Sequence, residues 1–170
     1  KAINPRAVYC SITGFGQTGP YADRPGYDFV AQAMGGMMSV TGEADGPPIK
    51  PGVAMADIST GMYACVSILM ALRHAEKTGE GQQIDISLLD TQIATLANQA
   101  LSYLVSGTSP GRLGNAHPTV VPYRLFDTKD GQIVVAVGNN SQFAALCDVL
   151  GVPDLAIDPL YATNADRVVN

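Results

Sequence analysis

Tryptophan is missing from this 170-residue sequence, histidine occurs twice, cysteine three times, and only 15% of the residues are charged. Each scarcity excludes a class of function. Ten basic residues against fifteen acidic ones give a net charge of −5, so no basic face is available for a nucleic-acid backbone or an anionic membrane surface. His74 and His117 have no partner spacing, so no metal site is expected. Cys10, Cys65 and Cys147 are far apart and odd in number; they suit buried thiols in a reducing compartment, and a cytoplasmic location is expected. No unbroken apolar run reaches the roughly 18 residues of a bilayer span, so no membrane segment is expected either. The N-terminal residues lack the basic, apolar, small-residue pattern of a signal peptide. They start without methionine and run at once into a strand, which reads as a piece of a longer chain. No phosphate-loop lysine is present.

What remains is 46% apolar, enough for one globular core or for one domain and part of another. "RAVYCSI" predicts a buried parallel strand. From Tyr27 onward, Phe29, Val30, Ala33, Met34 and Met37 recur at helical spacing until Gly35 and Gly36 end the helix. Pro47, Pro48 and Pro51 forbid regular structure in the next stretch. Ile58, Met62, Cys65, Val66, Leu69 and Leu72 then mark the apolar face of a long helix, with Asp57 at the expected N-cap and Gly79 at its close. The methionines read mostly as core filler. "GQQIDISLLD" alternates as a strand, and "TQIATLANQALSYLV" predicts one further helix. After it the character changes. "YRLFDTKDGQIVVAV" predicts an antiparallel hairpin turning at Asp130-Gly131, and "SQFAALCDVLG" a short helix closed by Gly151. A boundary is expected near residues 106–122, dividing an α/β part, 1–110, from a smaller α+β part, 111–170.

Two features carry chemistry. Gly14, Gly16 and Gly19 follow the first strand at the spacing G-x-G-x-x-G, as in a dinucleotide-binding turn. That motif must open a helix, yet Pro20 and Pro25 oppose one there, and no strand-ending acidic residue follows at about 20 positions. The glycines therefore read as a loop that packs backbone tightly. Asp57 is the second feature. Aspartate at a helix start is first of all a cap, which stabilises by about 1 kcal/mol. Amides and dipole there also favour a charged carboxylate, which can serve as a nucleophile, and Gly52 and Gly61 leave room for a ligand beside it.

"NPRAVYCSITGFGQTGPYADRPGYDFVAQAMGGMMSVTG", "PGVAMADISTGMYA", "TGEGQQIDISLLD" and "GNAHPTVVPYRLFDTKDGQIVVAVGNNSQFAALCDVLG" resemble the class III CoA-transferases. The resemblance covers essentially the whole chain and is closest to the branch acting on succinyl-type and other dicarboxylyl groups. It implies a Rossmann-like parallel-sheet large domain, present in part, followed by part of a smaller α+β domain. It also implies longer chains that form interlocked homodimers, with acyl-CoA and carboxylic acids as substrates and no metal, nicotinamide or flavin. The family nucleophile is the aspartate of "ADISTG", here Asp57. Pro25, Gly26, Tyr27 and Asp28 of "RPGYD" match the CoA contact near pantetheine, and Leu88 a position beside the CoA arm. The loop Gly114–Pro122, with Gly114, Asn115 and His117, is similar to the family's mobile loop over the active site, with one glycine where some members have several. Two other readings stand beside this one. Acyl-CoA racemases of the same superfamily carry histidine in a "GHD" block where Tyr27 stands, and a phenol is a poor base at neutral pH. The third reading is an inactive truncated chain.

Overall fold

Residues 3–170 are described in a computed structural model of the protein. The fold is mixed α/β, with one two-stranded parallel sheet and one two-stranded antiparallel sheet. The chain divides into two units, Lys1–Arg112 and Leu113–Asn170.

In the first unit, β1 (Tyr9–Thr13) pairs in parallel with β2 (Gln83–Ser87), Cys10 opposite Ile84 and Ile12 opposite Ile86. A parallel pair needs a long crossover. Here it holds α1 (Asp28–Met34), a 3-10 turn (Met37–Val40) and α2 (Met55–Thr78). The glycine-rich loop after β1 opens no helix. Gly14 lies back to back with Gly26, so closely that a Cβ on Gly14 would stand 2.7 Å from the Gly26 nitrogen. The Asp85 carboxylate of β2 accepts from the Gln17 amide at 2.9 Å and ties the loop to the sheet.

The long helix forms where expected but turns its expected core face outward. Ile58, Met62, Val66 and Leu69 are each more than half exposed, as is Met70, and Cys65 is exposed too. The buried positions are Ala56, Ser59, Thr60, Ala64, Ala71 and Ala75. The same inversion holds in α1, where Phe29, Val30 and Met34 are exposed while Ala31 and Gln32 are buried. The cause is size. Small side chains let α1, α2 and α3 (Leu88–Ala94) approach closely, and the Thr60 and Thr91 hydroxyls meet at 2.5 Å between α2 and α3. The methionines Met34, Met62 and Met70 are therefore surface residues here, and of the three cysteines only Cys147 is buried. By length and composition alone α2, 24 residues and roughly 36 Å long, would suffice to cross a bilayer, since Ser59, Thr60, Gly61 and Ser67 interrupt its apolar run without adding charge.

Two further boundaries differ. Leu88, Leu89 and Asp90, read as the end of a strand, open α3 instead, because the Ser87 hydroxyl accepts from the Asp90 amide at 2.9 Å and caps it. The helix expected over 91–105 is broken. The Thr95 hydroxyl donates to the Gln92 carbonyl at 2.7 Å, and Leu96 and Ala97 bond back only three residues. Ala97 adopts φ 45°, and α4 (Asn98–Ser106) starts after it.

In the second unit, β3 (Tyr123–Asp127) and β4 (Gln132–Ala136) form the expected hairpin, closed by the Thr128 amide donating to the Gly131 carbonyl at 2.8 Å. The helix α5 (Asn140–Val149), capped by Asn139, sets Phe143 and Cys147 against Val137 in a core that Leu146, Ala156 and Tyr161 complete. Arg167 of α6 (Asn164–Val169) is 4% exposed and, among the described residues, has no carboxylate partner. Its guanidinium donates to the carbonyls of Val121 (2.9 Å) and Tyr161 (2.8 Å) and to Asn140 Oδ1 (3.0 Å), and lies 4.4 Å from the Phe143 ring centre.

Three substitutions test this packing by urea unfolding. Gly14→Ala should destabilise by about 1–3 kcal/mol, since backbone stands in the way of the methyl group. Gly61→Ala, at an open position inside α2, should stabilise by about 0.5–1 kcal/mol. Arg167→Met should cost about 1–3 kcal/mol, because it removes three part-buried hydrogen bonds. A neutral Gly14→Ala or a neutral Arg167→Met would contradict the packing described.

Candidate active site

The start of α2 sets the geometry. A helix begins with amides that have no partner inside the helix, and an aspartate at the N-cap usually serves one of them. Asp57 was expected in that place, but Ala54 is the N-cap and Asp57 is the third helical residue. The capping carboxylate comes from elsewhere in the chain. Asp28 Oδ1 accepts from the Ala56 amide at 2.8 Å and from the Asp57 amide at 3.4 Å. The Met55 amide reaches the Val53 carbonyl at 2.9 Å, and the Ile58 amide the Ala54 carbonyl at 3.0 Å. The amides of Met55, Ala56 and Asp57 therefore have acceptors outside the helix ladder, and that of Ile58 makes the first bond within it.

Asp57 gains from this. Its side chain is exposed, and among the described residues no donor is hydrogen-bonded to its carboxylate. Both its oxygens keep their lone pairs free, which is what a carboxylate nucleophile requires. Its backbone, by contrast, is firmly held. Ala56 beside it is fully buried and packs with Ala31 and Leu88.

The residues around it divide into two groups. Tyr27, 70% exposed, and Pro25, exposed, offer surface to a ligand. Gly26 is occupied by its contact with Gly14. Asp28 is half-buried and has both oxygens in use, because Oδ2 accepts from Gln32 Nε2 at 2.7 Å. Leu88, 8% exposed, lies in the core at the start of α3, not on a strand. The structure thus brings Asp28, Leu88 and Asp57 together through the first turn of α2, and only Pro25 and Tyr27 of the expected CoA contacts present an open face.

Gly114, Asn115 and His117 belong to the second unit. Gly114 has φ 57° and Asn115 is exposed. His117 is half-buried, its Nδ1 accepts from the Thr119 amide at 3.1 Å, and its ring lies 5.1 Å from that of Tyr123. With Nδ1 accepting, the ring proton of a neutral His117 sits on Nε2. Among the described residues no three His, Cys, Asp or Glu side chains are grouped to hold a metal ion.

Sequence reasoning missed Gln32. It is fully buried, and its amide donates to Asp28 and, at 3.4 Å, to the Val53 carbonyl. The spacing of four from Asp28 on one helix was the available signal. Its Oε1 is buried without a partner.

A succinate–glutarate CoA-transferase of Agrobacterium fabrum is 56% identical over 170 residues, which is all of this chain and 42% of that protein. The human succinyl-CoA:glutarate CoA-transferase is 49% identical over 168 residues, 99% of this chain and 38% of that one. The chain thus spans about two-fifths of the length of these relatives. The crystal structure of a CAIB/BAIF family protein from Brucella suis superposes with a TM-score of 0.81 at 54% identity, over 99% of this chain and 45% of that one. The family model described as CoA-transferase family III matches residues 1–170, and the chain belongs to that family.

Proposed function

We propose that the protein carrying this chain transfers CoA between an acyl-CoA thioester and a free carboxylate, with Asp57 as the covalent acceptor and dicarboxylates as substrates. The observation that carries the proposal is the uncommitted, exposed carboxylate of Asp57 on a rigidly held helix start. An Asp57 oxygen attacks the donor thioester carbonyl, the C–S bond breaks, and CoA thiolate leaves behind a mixed anhydride. The thiolate then attacks the aspartyl carbonyl of that anhydride. The donor acid departs as its carboxylate, and Asp57 holds CoA as a thioester. An acceptor carboxylate attacks this thioester and releases the thiolate, which takes the acceptor's acyl group and restores the free Asp57 carboxylate. Splitting the transfer into covalent steps lowers each barrier, and the balance needs no electron carrier. Because the first-turn amides of α2 are all engaged, the oxyanions of these steps take their donors from other groups.

In this reading Pro25 and Tyr27 line CoA, while Gly26, Asp28 and Leu88 shape the wall beneath. The first unit is the CoA-binding, Rossmann-like part and the second the start of a smaller domain. The dicarboxylate class is supported by the names of the relatives, which act on succinate, glutarate or their CoA esters. A homodimer belongs to the same proposal, supported by the exposed apolar row Ile58, Met62, Val66 and Leu69. A cytoplasmic location is supported by three free thiols, one of them exposed.

Mass spectrometry of the whole protein tests the central step. Incubated with succinyl-CoA and hydroxylamine, it should gain a hydroxamate on Asp57, and Asp57→Ala should abolish both the adduct and the conversion of glutarate to glutaryl-CoA. Modification of a different residue, or turnover by the alanine variant, would contradict the assignment.

A further inference from the structure

We infer that Asp28 is a positioning residue: it caps α2 from outside the helix and so leaves the Asp57 carboxylate uncommitted for acyl capture. The inference rests on the reading of Asp57 as the covalent acceptor and deepens it. An acidic side chain in the first turn of a helix ordinarily folds back onto the open amides there, as the third residue of a capping box does. The same chain shows that geometry in α6, where Asp166, also a third helical residue, accepts from the Thr163 amide at 3.1 Å. At α2 the amides of Ala56 and Asp57 are already taken by Asp28, 28 and 29 residues earlier in the sequence. Asp57 has no such partner and stays exposed.

The clamp has a second anchor. Gln32 donates from Nε2 to Asp28 Oδ2 at 2.7 Å and reaches the Val53 carbonyl at 3.4 Å, so one buried amide links the capping carboxylate to the segment that leads into α2. Its unpartnered, buried Oε1 marks the cost of that orientation. The arrangement therefore leaves one polar atom unsatisfied while the amides of Met55, Ala56, Asp57 and Ile58 all have acceptors. With both oxygens on protein donors, Asp28 has little left to offer CoA itself, which separates this role from that of a ligand contact.

Two quantities distinguish the roles: the single-turnover rate at which Asp57 is acylated by succinyl-CoA, read by rapid quench and peptide mass spectrometry, and the Kd of CoA, read by calorimetry. Both are measured on the whole protein. Asp28→Ala should slow acylation about 10- to 100-fold, the effect of displacing a reacting group by an ångström or so, and leave the CoA Kd within about twofold. Asp28→Asn should recover most of the lost rate, because its amide oxygen still accepts from the two backbone amides and Gln32 can turn to offer Oε1 to the new NH2 group. Acylation at the wild-type rate in Asp28→Ala, a CoA Kd that weakens in step with the rate, or an Asp28→Asn variant as slow as Asp28→Ala would each overturn the inference. Should Asp28→Ala fail to fold, Gln32→Leu carries the test. Slower acylation at unchanged CoA affinity supports the clamp, and the wild-type rate refutes it. An adduct on another residue of the wild-type protein overturns the nucleophile reading itself, and is told apart because every other outcome is read on the Asp57 peptide.

Discussion

One carboxylate oxygen, Asp28 Oδ1, holds together the part of this molecule where chemistry is expected. It joins the start of α1 to the start of α2 by accepting from two consecutive amides, at 2.8 and 3.4 Å. Helix starts need such acceptors, and most take them from the residue that precedes the helix. Here that residue is Ala54, which has none to give. Supplying the cap from another helix makes the position of Asp57 a tertiary property, dependent on how α1, α2 and α3 pack.

The packing explains why so many buried side chains in the first unit are small. Ala31, Ala56 and Leu88 fill the space beneath the cap, and Thr60 donates to the Ala56 carbonyl at 2.6 Å while its hydroxyl meets that of Thr91. Gly14 and Gly26 allow the loop after β1 to lie against the segment just before α1. Larger residues at these places would push α1 from α2 and lengthen the capping bonds. The large apolar side chains, displaced from this tight interior, line the outer face of α2.

The element types and their order were legible in the sequence, because strand alternation, helical spacing and turn residues act locally. The long helix over residues 55–78, the strands around Cys10 and Ile84, and the hairpin at Asp130-Gly131 all follow from such signals, although β1, expected to be buried, has Tyr9 and Ile12 more than half exposed. What could not be read was set by contacts across the chain. The apolar stripe of α2 was assigned to the core because large residues usually lie inside, yet tight packing selected the alanine and threonine face instead. The break at Ala97 depends on a threonine hydroxyl competing for a carbonyl. At the candidate site, the sequence singled out Asp57, as N-cap and by resemblance as nucleophile, and Asp28 among the CoA contacts. The one part that differs is the cap, which Asp28 supplies from α1 while the Asp57 side chain stays exposed. Only the folded contact between residues 28 and 56 separates the two roles.

The most direct measurement is a crystal structure of the whole protein frozen during turnover with an acyl-CoA. The account predicts continuous density from an Asp57 oxygen or its carbonyl carbon into the acyl group or the CoA sulfur, with Asp28 still seated on the Ala56 and Asp57 amides. Density showing Asp28 turned toward the ligand, with Asp57 folded back on its own helix, would contradict it.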